Sequence, residues 1–126
     1  MNEPVIRHGA WSRLLLAAAG LLGASGVGLA AAAAHRGGGN LDVAGYMLMI
    51  HAAAIAGLAL AGRGGLLLGG ASLLAVGVAL FAGDIAMRAF AEMRLFPMAA
   101  PSGGLTMMIG WLALTAAAAI GRLTKP

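Results

Sequence analysis

Four times in this chain a stretch of 16 to 21 residues passes without an Asp, Glu, Lys or Arg. That recurrence restricts the fold more than any motif does. The runs are Leu14 to Ala34, Val43 to Ala61, Leu66 to Gly83 and Leu105 to Ile120. A helix needs about 20 apolar residues to cross the roughly 30 Å hydrocarbon core of a bilayer. Three runs meet that length nearly as they stand. The fourth reaches it once Ser102, Gly103 and Gly104 are added, enough to span with little tilt. Composition excludes the soluble alternative, since 61% of residues are hydrophobic and only 10% are charged. A small soluble domain has about a quarter of its residues charged, because its surface must face water. The mean hydropathy of +0.94 agrees.

The expectation is therefore an all-α, integral membrane, antiparallel four-helix bundle. It forms a single domain over residues 1–126, with helices about 12–34, 43–61, 66–90 and 102–120. The first run, behind Arg7 and Arg13 and ahead of three alanines, imitates a secretory signal. An apolar signal core is about 7–15 residues long, so this run reads as a helix. His35 to Asp42 is a turn with three consecutive glycines, and Gly62 to Gly65 is short enough to send the third helix back beside the second. Small residues recur every fourth position, as Gly20, Ala24, Gly28 and Ala32 in the first helix and Ala71, Ala75, Ala79 and Gly83 in the third. Such rows predict close helix packing in lipid. The connection from Arg88 to Pro101 is expected to be an ordered loop, with Leu95, Phe96 and Met98 lying against the helix ends.

The net charge of +4 does not point to nucleic acid, because the basic residues stand singly at segment ends rather than along one face. They serve better as topology signals. Arg7, Arg13, Arg63, Arg122 and Lys125 fall on one side, and Arg36, Arg88 and Arg94 on the other. By the positive-inside rule both ends are expected on the cytoplasmic side. With no cysteine there is no thiolate metal site or disulfide framework.

Ionisable groups inside a membrane helix are functional candidates by default. Asp84 and Arg88 stand four apart on one helical face with the acid first, the favourable order for an ion pair. Up-and-down topology brings His35 to the same end, with His51 deeper in the second helix. His35, His51, Asp84 and Arg88 thus form a candidate polar cluster, open to two readings: a structural pair with a hydrogen-bonded histidine, or a proton or ion relay. A metal site needs about three protein ligands, the least this inventory holds, and no cofactor is expected. Trp11 and Tyr46 suit interfacial anchors, Trp111 suits a mid-span packing space, and Asp42 and Glu92 suit solvated loops. No nucleophile–base pair, phosphate loop or dinucleotide fingerprint is present.

From about Leu14 to Ala119 the chain resembles the YgdD-like family of small bacterial inner-membrane proteins, catalogued as domain of unknown function 423. Leu80-Phe81-Ala82-Gly83 is similar to the family's LFSG. Ala100-Pro101-Ser102-Gly103-Gly104, followed by Gly110-Trp111, is similar to its TP-x-GG and GW, which singles out Gly83, Pro101, Gly103, Gly104 and Trp111. The alanine-rich run into His35 resembles GAFGAH, and His51-Ala52 resembles the end of YQ-x-x-HA. Alanines replace the glycines before His35, Tyr46 stands one place early, and Asp84 stands where many members have Ser. The resemblance implies four membrane helices and no established activity.

The leading functional expectation is a non-enzymatic helix bundle, associating with itself or with a larger membrane complex in the lipid bilayer. One alternative is a small transport or proton-relay protein using the His/Asp cluster. Another is a lipid- or quinone-binding protein with its pocket under the third loop.

Overall fold

The computed structural model describes residues 8–37, 39–62 and 64–120. They form four α-helices: α1 Ala10–Arg36, α2 Leu41–Ala61, α3 Gly65–Ala91 and α4 Ala99–Ile120. All four are long and apolar enough to cross a membrane. Much of the apolar surface points outward, with Leu14 and Leu21 70% and 72% exposed. An outer surface of that kind suits lipid rather than water. Of the residues that set the orientation expectation, Arg7, Arg63, Arg122 and Lys125 lie outside the described residues.

Every helix begins or ends further out than its apolar run. The second starts at Leu41, which places Asp42 in its first turn rather than in a loop. A carboxylate there suits the positive end of the helix dipole, and Asp42 Oδ1 accepts the Val43 N–H at 2.8 Å. The fourth starts at Ala99, three residues before the expected Ser102. Pro101 does not prevent this, because a first-turn residue has no intrahelical acceptor for the N–H that proline lacks. Together with the extension of α3 to Ala91, this shortens the connection to the seven residues Glu92–Met98.

The helices pair along glycine seams. A Cβ added at Gly26 would lie 2.8 Å from the Gly45 carbonyl oxygen, and one at Gly45 would lie 2.8 Å from the Ala30 nitrogen. Gly23 faces Ala52. Between α3 and α4, Gly77 meets Gly103 and Gly70 meets Gly110. In both pairs the residue numbers climb along one helix as they fall along the other. The burial pattern is Gly45, Leu48, Ala52, Ile55, Ala59 in α2 and Gly103, Met107, Gly110, Ala117 in α4. These steps alternate three and four, or sum to seven, as in a heptad seam.

That alternation corrects the every-fourth expectation for α1. Gly20, Ala24 and Gly28 are exposed, and a Cβ at Gly20 or Gly28 would meet nothing within 4 Å. At about 100° per residue, a strict step of four rotates about 40° each time and leaves the interface. The expected row in α3 starts buried at Ala71 and drifts outward to exposed Ala79 for the same reason. Ala19, Gly23, Gly26 and Ala30 hold the α1 seam instead.

The helix α3 touches all three others, whereas α4 touches α3 alone at the backbone level. No Cα of α4 comes within 8 Å of one in α1 or α2. The core runs through the middle of this arrangement, with Ile55, Leu74 and Val78 fully buried.

Candidate functional site

Asp84 sits seven residues before the end of α3, about 10 Å along the axis. It is only 3% exposed. Its Oδ2 receives Arg88 Nη2 at 3.1 Å, the expected one-turn ion pair. Its Oδ1 accepts the backbone N–H of Leu95 at 3.0 Å, across the α3–α4 connection. One carboxylate therefore holds both its own helix end and the loop that follows. Leu95 Cδ1 also comes to rest beside Gly83, where an added Cβ would meet it at 3.3 Å. Leu95 thus touches the helix end as expected while staying partly exposed, and Phe96 and Met98 are exposed as well. The loop begins and ends on residues with left-handed backbone, Glu92 at φ 56° and Met98 at φ 68°. Between them the buried carboxylate ties the loop to α3 at Leu95.

His51 is buried ten residues into α2, about 15 Å along the axis. Its Nδ1 bonds the Met47 carbonyl at 2.8 Å, and its Nε2 bonds Trp111 Nε1 at 3.2 Å. The indole N–H can only donate and the carbonyl can only accept. The ring therefore carries its proton on Nδ1 and accepts at Nε2. The two rings meet edge to face, with centroids 5.8 Å apart and planes at 64°. A relay would need Nε2 to take up a second proton, and the Trp111 N–H occupies that position. Trp111 is thus more than a space-filler: it makes a side-chain hydrogen bond between α4 and α2.

The expected cluster therefore divides. Asp84 and Arg88 come together. His51 belongs to a separate contact with Met47 and Trp111, and His35 is exposed on the last turn of α1 with no side-chain hydrogen bond among the described residues. The ends of α1 and α3 do meet as topology suggested, but through Arg36. Its guanidinium lies 4.6 Å from the centre of the Phe90 ring and bonds the Ala89 carbonyl at 3.4 Å. No group of three or more His, Asp or Glu side chains placed to hold a metal occurs among the described residues.

Of the motif residues, Gly103 and Gly77 meet backbone to backbone, whereas a Cβ on Gly104 would meet nothing within 4 Å. Two links escape a reading by motif. One is the Leu95 N–H on Asp84. The other is Trp11, whose Nε1 donates to Ser72 Oγ at 2.9 Å and ties α1 to α3. The signal available for both tryptophans was chemical. An indole N–H in apolar surroundings needs an acceptor, and few side chains here can supply one.

Four helices fit for a membrane, closed by glycine seams and held at one end by a buried carboxylate, define a small helical protein of the multi-pass type. The family model described as "Protein of unknown function (DUF423)" matches residues 22–104, well over half of the chain, and the chain belongs to that family. The match takes in His35, His51, the Asp84–Arg88 pair and the Pro-x-Gly-Gly segment, and stops before Trp111. Neither a curated protein nor a solved structure matches the chain.

Proposed function

We propose that the chain is an integral membrane, antiparallel four-helix bundle of the bacterial inner membrane. In this reading it is a non-enzymatic structural protein that associates with itself or with a larger membrane complex. The observation that carries it is the state of its buried polar groups: among the described residues, no buried side-chain nitrogen or oxygen lacks a hydrogen-bond partner. Asp84 holds a helix end and a loop, and His51 holds Trp111. The proton-relay alternative needs these groups free to change partners and in reach of one another, whereas Asp84 and His51 sit in separate contacts and His35 has no side-chain hydrogen bond among the described residues. The open apolar faces of α1 and α4 suit lateral association, since the backbone of α4 lies close to α3 alone.

Purification from native membranes in mild detergent tests this reading. The expected result is a discrete assembly larger than one chain, formed with further copies or with other membrane proteins. A monodisperse monomer that carries a pH-driven ion flux in liposomes would overturn it. Both ends are placed in the cytoplasm, so a reporter fused after Lys125 should read as cytoplasmic. A reporter after Arg63 on the opposite side from one after Lys125 would overturn the four-span topology.

A further inference from the structure

A groove of about 370 Å³ opens at the α3–α4 end, between the last turns of α3, the connecting loop and the first turns of α4. Phe81, Asp84, Arg88, Arg94, Pro101 and Gly104 are among its walls. We propose that this groove binds the phosphate of an anionic phospholipid headgroup, with Arg94 and the outer face of Arg88 as its ligands. The inference rests on the membrane-spanning reading above and adds a ligand to it.

Charge is the first argument. Asp84 and Arg88 make the one ion pair among the described residues, which leaves Arg94 as a second guanidinium in the groove with no carboxylate on it. Arg88 itself gives Asp84 one nitrogen and keeps its side chain 44% exposed. A guanidinium has five N–H donors, and phosphate oxygens match its fork. Glu92, the acid nearest in sequence, does not line the groove. The three charged groups present carry a net positive charge toward the opening.

The second argument is the loop's apolar surface. Met93, Leu95, Phe96 and Met98 are all 42–60% exposed on the same seven-residue loop that carries Arg94. In water that surface would be unfavourable. At a membrane boundary it lies among the upper acyl chains, which sets the two arginines at headgroup depth. The groove mouth and the apolar loop are then two halves of one lipid contact.

Gly104 supplies the means to test it. A Cβ there would meet nothing within 4 Å, unlike one at Gly103 in the seam, so a larger side chain at Gly104 is expected to enter the groove and leave the seam alone. The full chain, purified in a non-ionic detergent, is titrated with short-chain phosphatidylglycerol, short-chain phosphatidylcholine or inorganic phosphate, and bound lipid is counted by native mass spectrometry. Wild type should retain one phosphatidylglycerol. Arg94→Gln and Gly104→Leu should each weaken it by about tenfold, the scale of one lost charge-assisted contact. Both variants should keep the wild-type Tm without lipid. Unchanged affinity in Arg94→Gln, or equal retention of phosphatidylcholine, would overturn the proposal. Inorganic phosphate displacing the lipid at equal concentration would reassign the site to a free anion. Carbonate extraction of the source membranes reports separately on the span reading, because a wild-type chain released by carbonate would sink that reading and this one with it.

Discussion

The two helical hairpins close alike along their seams and differently at their turns. In the first, Gly26 lies against Gly45 with Met49 Cγ beside it; in the second, Gly77 lies against Gly103 with Met107 Cγ beside it. Each seam puts a glycine on a carbonyl and a methionine, four residues past the partner glycine, into the remaining gap. Methionine suits that place because its unbranched thioether adapts to irregular space. The turns share none of this. Residues 37–40 include Gly37 at φ 58° and Gly39 at φ 78°, conformations glycine adopts without steric penalty. The second turn puts Glu92 and Met98 in the left-handed region, at about 1–2 kcal/mol each. It holds them there by fastening Leu95 to a buried carboxylate. A turn can thus be shaped by its own backbone freedom or by an anchor outside it.

Breaking a seam should have the largest effect. In Gly103→Ala the new Cβ would lie 2.5 Å from the Gly77 oxygen and 2.6 Å from the Phe81 nitrogen, both backbone atoms that cannot swing aside. The expected loss is about 3 kcal/mol in reversible unfolding followed by circular dichroism in mixed micelles. Gly104→Ala, one residue on, should be neutral or stabilising by up to about 1 kcal/mol. Equal behaviour of the two variants would mean that the seams are misassigned.

Removing the anchor comes next. Asp84→Ala deprives both Arg88 and the Leu95 N–H of a partner, and we expect a loss of about 2 kcal/mol, held down because Arg88 can turn to water. Adding Arg88→Ala should recover only part of this, since the Leu95 amide stays unpaired. Asp84→Asn, whose amide oxygen can still accept that bond, should keep the loop closed. Hydrogen exchange at Leu95 separates the cases: fast in the alanine variant, slow in the asparagine one. Fast exchange at Leu95 in wild type would contradict the anchor.

The sequence carried some of this plainly and hid the rest for physical reasons. The four long helices were legible because uncharged runs of membrane length have little alternative in water. The Asp84–Arg88 pair was legible because helical spacing alone puts them on one face. The α1 seam was not, because Ala and Gly are so frequent there that several rows look equally small, and only the three-four alternation separates Gly23 and Gly26 from Gly20 and Gly28. The bond from Leu95 to Asp84 was hidden more deeply, since it uses a backbone N–H that any residue but proline would supply. The separation of His51 from Asp84 depended on Trp111, about 60 residues further along the chain.

Two smaller effects sharpen the comparison. Trp111→Phe should cost about 1 kcal/mol by leaving His51 Nε2 without its donor, with the loss visible as easier release of α4 in limited proteolysis. An unchanged cleavage rate would argue against that link. Glu92→Gly should stabilise by about 0.5–1 kcal/mol, because it gives the second turn the device the first one uses. A Tm below wild type for that variant would mean that the Glu92 side chain does something its exposed position does not reveal.

The placing of the seams has a consequence for how the protein is made. Each glycine seam joins helices adjacent in the chain, α1 with α2 and α3 with α4, so neither hairpin waits for a distant segment to be synthesised. The first can close while α3 is still being translated, and the second closes as soon as α4 emerges. Backbone contacts made late are confined to α3, where it meets the finished first pair. Little unpaired glycine surface is therefore open to the wrong neighbour during synthesis, which is when a chain of this composition would be most prone to mispairing.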